Sequence, residues 1–118
     1  MNIEELRAYC IEKKGVTESF PFDETTLVFK VMNKMFALVG LERKPSFVNL
    51  KCDPDRSLEL REEYDGVITP GYHMNKKLWN SVYFEGLSTD FTKELIDHSY
   101  ELIVASLPKK VQKELEEL

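Results

Sequence analysis

Two histidines, two cysteines and a few adjacent carboxylates are the residues of this chain best suited to chemistry, and their spacing supports little of it. Nucleophilic catalysis needs a nucleophile, a base and an orienting group that converge. His98 lies between Asp97 and Ser99, but neighbours on a helix point in different directions and make no relay, so His98 reads as a partly buried structural residue. No Gly-x-Ser-x-Gly elbow surrounds Ser46, Ser81 or Ser99. Zinc requires three or four ligands, and His73, His98, Cys10 and Cys52 show none of the close spacings that mark such a site. The two cysteines read instead as buried free thiols, packing as small hydrophobes. With five glycines there is no phosphate-binding loop, and the pairs Glu62-Glu63 and Glu116-Glu117 read as solvated helix faces. The expectation is a protein that is not an enzyme, with no cofactor and no metal.

A second set of residues is less ordinary. Lys30, Lys34, Lys51, Tyr72, His73, Asn75, Lys76, Lys77 and Trp79 mix cations with aromatic and amide groups. Such a mixture suits a nucleic acid: the lysines would meet phosphates, Tyr72 or Trp79 would offer stacking, and Asn75 a base-edge contact. A net charge of −5 argues against a general polyanion binder, but the charge is unevenly spread. Residues 27–51 and 67–83 hold seven basic residues and only Glu42 as an acid, leaving nine basic and twenty acidic residues elsewhere. The same residue types also fit a plainer arrangement, with Trp79 in the core and the lysines guarding strand edges. A small-molecule or catalytic cleft near Tyr72, His73 and Lys76 would need His73 beside a carboxylate.

These residues must be positioned by one domain spanning 1–118, since a chain of this length holds a single core. Asn2 followed by Glu5 is a capping box, and Ile3, Leu6 and Cys10 recur at helical spacing until Gly15, which predicts a helix over 2–14. Residues 17–25 form a connector with room for a short edge strand, because Pro21 removes a ladder donor. Apolar runs at 26–31 and 35–39 around Asn33-Lys34 predict a β-hairpin. Residues 46–52 alternate Phe47, Asn49 and Lys51 with Val48 and Leu50, the period of a half-buried strand. Asp53-Pro54 opens a helix over 54–64 carrying Leu58 and Tyr64. Strands are predicted at 67–69 and 78–84, joined by a long loop from Pro70 to Lys77. Ser88 then caps a helix that Pro108 interrupts before a short final helix.

The runs Val28-Phe29-Lys30-Val31, Lys34-Met35-Phe36-Ala37 and Val48-Asn49-Leu50-Lys51-Cys52, the stretch Pro70-Gly71-Tyr72-His73-Met74-Asn75-Lys76-Lys77 with Trp79, and Ser99-Tyr100-Glu101-Leu102 together resemble the MmcQ/YjbR-like family. The resemblance runs in order along nearly the whole chain. It departs at Leu78, where a histidine commonly precedes the tryptophan, which removes one polar group from the suspected surface. Membership implies an α+β fold, an antiparallel sheet of about five strands packed against helices in the order αβββαββαα, similar to type III secretion chaperones. It also implies DNA binding through a double-wing arrangement.

The positions that carry the resemblance coincide with the acid-poor part of the chain. The leading expectation is therefore a non-enzymatic DNA-binding protein using a basic and aromatic strand-and-loop surface. The alternative is a chaperone-like protein-interaction module with no nucleic-acid role, which the net acidity favours. Neither a signal-like leader nor a bilayer-length apolar stretch is visible, so a cytoplasmic protein with no membrane partner is expected.

Overall fold

Asn2 caps the first helix, α1 (Ile3–Ile11), in the computed structural model, which describes residues 1–118. The Asn2 side chain accepts from the Glu5 N–H at 2.8 Å and the Glu5 carboxylate accepts from the Asn2 N–H at 3.2 Å. The helix ends three residues before the predicted stop, because residues 12–15 turn through Gly15 at φ +74° into the sheet.

Six strands follow: β1 (Val16–Ser19), β2 (Thr26–Val31), β3 (Lys34–Gly40), β4 (Val48–Lys51), β5 (Ile68–Pro70) and β6 (Trp79–Val82). They form one antiparallel sheet in the order β1-β2-β3-β4-β6-β5. The fold is α+β as expected, with β1 as a sixth strand at the sheet edge, overlapping the connector in which the sequence left room for a short one. Its four residues alternate half-buried and exposed, too short a pattern to fix its bounds before Val16 is seen opposite Val31. The hairpin turn is Met32-Asn33, not Asn33-Lys34, since both residues have positive φ and Lys34 already pairs with Val31. Phe36 is the extra residue of a β-bulge, so that Phe36 and Ala37 in succession both enter the core.

All four helices, α1, α2 (Pro54–Glu63), α3 (Thr89–Ser106) and α4 (Lys109–Glu116), place buried side chains in the main core with alternate strand residues such as Leu27, Phe29, Val48 and Leu50. Asp53 caps α2 by accepting from the Arg56 N–H, and Ser88 caps α3 by accepting from the Phe91 N–H. Helix α2 buries Ser57 and Leu60, whereas Leu58 is 65% exposed and contributes nothing to the core. Along α3 the buried residues are Thr92, Leu95, Ile96, Ser99 and Ile103, one helical stripe. Ser99 sits at its centre: its hydroxyl donates to the Phe36 carbonyl at 2.6 Å and accepts from the Lys51 N–H at 2.9 Å. These two backbone groups lie just past the last β3–β4 pair, so α3 completes the ladder where the strands part.

The opposite face of the sheet carries no helix. A small second cluster of Val28, Leu38 and Trp79 lies there, covered by Met35, Met74 and Leu78. No helix is long and apolar enough to cross a membrane.

Candidate functional site

Strand alternation decides which side chains reach the helix-free face. Because Leu27, Phe29, Val48 and Leu50 turn into the main core, Val28, Lys30, Asn49 and Lys51 turn away from it. Lys30 stands opposite Met35 and Lys51 opposite Trp79.

The β5–β6 loop, residues 71–78, folds back over this face and is pinned from several directions. The Gly71 N–H donates to the Trp79 carbonyl at 2.9 Å, and the Leu78 and Trp79 N–H groups both donate to the Asn75 carbonyl. Gly71 admits no side chain, since a Cβ there would lie 2.8 Å from the Trp79 Cβ. The Tyr72 N–H donates to Ser81 Oγ at 2.9 Å, Asn49 Nδ2 donates to the Tyr72 carbonyl at 3.1 Å, and Ser81 Oγ donates to Asn49 Oδ1 at 2.5 Å. From the helical side the Arg61 guanidinium donates to the Lys76 carbonyl, to the Trp79 carbonyl at 3.3 Å and to Asn80 Oδ1 at 2.8 Å. His73 takes a positive φ of +57° within the loop.

Between this loop, strands β3 and β4 and the segments around Phe22 and Arg43 lies a groove of about 480 Å³. Its apolar walls are Phe22, Met35, Leu38, Phe47, Tyr72 and Met74, and its polar groups include Asp23, Arg43, Asn49 and His73. The Arg43 guanidinium lies 4.3 Å from the Tyr72 ring centroid and 5.7 Å from that of Phe47. The His73 ring meets Tyr72 edgewise with centroids 4.1 Å apart. Asp23 is already engaged: its carboxylate accepts from the Thr25 and Thr26 N–H groups at 2.9 and 2.6 Å, and these bonds hold its pKa below the usual carboxylate value. His73 and Asp23 share the groove without a hydrogen bond or ion pair between them.

The residues singled out by sequence divide into three groups. Lys30, Lys51, Tyr72, His73 and Lys77 belong to the helix-free face or its loop, and Lys77 is exposed. Asn75 and Lys76 lie in the loop but serve it: Asn75 Oδ1 accepts from the Lys77 N–H at 3.0 Å, and Lys76 Nζ donates to the Gly71 carbonyl at 2.9 Å. Lys34 and Trp79 do not line the groove. Lys34 Nζ donates to Ser106 Oγ at the end of α3, and Trp79, on the helix-free face, is only 9% exposed, packed with Val28 and Leu38 beneath Met35, Met74 and Leu78 and so closed to stacking by a ligand. Arg43, Phe22, Phe47 and Asn49 line the groove without having stood out as site residues; the signal available was Arg43 inside the acid-poor stretch.

Ion pairs keep to the helical side. They are Arg7–Glu18, Lys13–Asp97 at 2.5 Å and Arg56–Glu94 at 2.5 Å, and each has at least one member on a helix. Lys30, Arg43, Lys51 and Lys77 have none. His98, on α3, is a structural residue as expected: Nε2 accepts from the Asp53 N–H at 3.2 Å, and burial with the nearby Arg56 charge lowers its pKa. Cys10 and Cys52 are buried and unbridged.

A family model described as YjbR matches residues 11–102. The chain is 40% identical to the protein named YbdF of Escherichia coli O157:H7, over 93% of this chain and 90% of that one. It is 36% identical to YjbR of Escherichia coli strain K12 over the full length of both. Among solved structures it is similar to the Deinococcus radiodurans protein DR2400, of domain family DUF419, with a TM-score of 0.90 and 38% identity over 98% of this chain and 88% of that one. A Pseudomonas syringae protein gives a TM-score of 0.74 at 25% identity, over 86% of this chain and 98% of that one. In sequence over most of its length and in fold over nearly all of it, this chain belongs to the YjbR family.

Proposed function

We propose that the protein is a non-enzymatic DNA-binding domain that receives the phosphate backbone on the helix-free face of its sheet. The observation that carries this reading is the division of charge between the faces. Every ion pair involves the acidic helices, while Lys30, Arg43, Lys51 and Lys77 stand on or around the other face without a carboxylate partner. Cations left free beside an exposed aromatic residue suit phosphates and sugars better than they suit stability. The double-wing DNA binding implied by the family resemblance points the same way. The chemistry of the histidines fits a binding role, since His98 is spent on a backbone contact and His73 has no paired carboxylate.

Fluorescence anisotropy with labelled DNA, single-stranded and duplex, across a salt series tests the proposal. With about three lysine contacts the logarithm of the binding constant should fall with a slope of about −2 to −3 against the logarithm of salt concentration. Lys51→Ala and Lys77→Ala should each lower that slope by about one. Flat titrations with both forms of DNA at low salt remove the proposal.

A second reading has its own support. Phe20 and Phe22 are 47% and 64% exposed beside the edge strand β1, an apolar surface that favours a protein partner. Capture of the same protein from nuclease-treated and untreated lysate, lost with Phe20→Ser while DNA binding is unchanged, distinguishes this reading from the first, since Phe20 lies outside the groove.

A further inference from the structure

Resting on the DNA-binding reading, we propose that the groove between Arg43, Tyr72 and Phe22 holds one unpaired nucleobase, so that the DNA recognised is single-stranded and not a closed duplex. A surface that met only phosphates would need cations alone. This one has cations around a concavity walled by aromatic and thioether side chains, and its volume of about 480 Å³ lies within the range of small-ligand sites, about 300–1,000 Å³. The bases of a closed duplex present only their edges and cannot enter such a groove; the face of an unpaired base can.

The groove is prepared for a planar guest. Tyr72 is 44% exposed, yet its backbone is held at both ends, by Ser81 at the N–H and by Asn49 at the carbonyl. An exposed ring on a fixed backbone loses little freedom on binding, which makes it a stacking platform. Arg43 lies over that ring at 4.3 Å, and a guanidinium plane both stacks on a base and donates to its edge or to its phosphate. The one carboxylate at the rim, Asp23, has turned its oxygens to Thr25 and Thr26. Lys30, directly opposite the groove residue Met35, supplies a cation one strand away for the flanking phosphate.

The same geometry sets the selectivity. Asn49, the amide best placed to read a base edge, has Nδ2 given to Tyr72 and Oδ1 to Ser81. With that amide committed, the groove should accept a base through its π-face and discriminate weakly among sequences.

Three labelled probes of one length test the inference by anisotropy at a single low salt concentration: a single strand, its duplex, and a single strand with abasic sites in place of the central bases. The single strand should bind at least about fivefold tighter than either other probe. Tyr72→Leu should weaken single-strand binding until that difference disappears. Tyr72→Phe should retain it, and Arg43→Lys, which keeps the charge and loses the plane, should reduce it. Equal binding of all three probes, unaffected by Tyr72→Leu, overturns the unpaired-base groove and leaves DNA binding standing. Failure of every probe to bind overturns the DNA reading and the groove with it.

Discussion

Asn49 on β4 holds Tyr72 in place through the backbone, donating from Nδ2 to the Tyr72 carbonyl at 3.1 Å while its Oδ1 accepts from Ser81 Oγ at 2.5 Å. Both Asn49 and Ser81 are buried and no buried side-chain polar atom in the molecule lacks a partner. The position of the groove's aromatic wall thus depends in part on the side-chain amide of a buried strand residue.

Replacing Asn49 by alanine removes the acceptor for one buried hydroxyl and the donor for one loop carbonyl. Asn49→Ala should therefore lower unfolding free energy by about 1–3 kcal/mol, the usual cost of leaving buried polar groups unmade. A urea midpoint equal to wild type would show that the amide carries no such role.

The two positive-φ glycines should respond unequally to alanine. At Gly66, φ is +78° but a Cβ would meet nothing within 4 Å, so Gly66→Ala should cost only the backbone term, about 1–2 kcal/mol. At Gly15, φ is +74° and a Cβ would lie 2.5 Å from Cδ1 of the buried Leu115. Gly15→Ala should add an overpacking cost of about 1–3 kcal/mol to the same backbone term. Thermal melts of the two variants compare them directly, and a Gly66→Ala protein less stable than Gly15→Ala contradicts the account.

Asp23 contributes a pH-dependent stability whose sign follows from its lowered pKa. The folded carboxylate is held below its unfolded value of about 3.9 by the Thr25 and Thr26 N–H groups. Its stabilisation is therefore complete above the unfolded value and is lost as pH falls through the folded one. Urea titrations of wild type and Asp23→Ala should differ most at neutral pH and converge in strong acid. A gap that widens on acidification would reverse the assignment.

Burial pushes the Cys10 thiol up to about 12 and raises that of Cys52 as well. Only the thiolate is reactive, so a disulfide reagent at pH 8 should modify neither residue in the folded protein and both after denaturation. Rapid labelling of one thiol in the native state would show that its cover opens readily.

Much of the architecture is readable from neighbours in the chain, because helix caps act over three residues and strand alternation over two. The Asn2/Glu5 box, the Asp53-Pro54 start and the Ser88 cap open helices where their spacing predicts, and Val48 and Leu50 alternate with Asn49 and Lys51 as expected. The family likeness rests on the same local runs, and it holds. The acid-poor stretches are likewise plain in the order of residues, and they supply the cations of the helix-free face.

Other features depend on contacts between distant residues. The sequence leaves room for a short edge strand but not its bounds or partner, which appear only when Val16 faces Val31, and the bulge at Phe36 exists only in the register of β3 against β2. Composition left Trp79 open to either core or surface; its burial follows from packing with Val28 and Leu38, which strand pairing brings under it. Lys76 folds onto Gly71 because the loop turns back, and Arg43 reaches Tyr72 because two loops meet above β4. Residue types and short spacings determined which elements form and which charges they carry. Only long-range pairing, whose register no local signal encodes, decided which of those charges and rings share a surface.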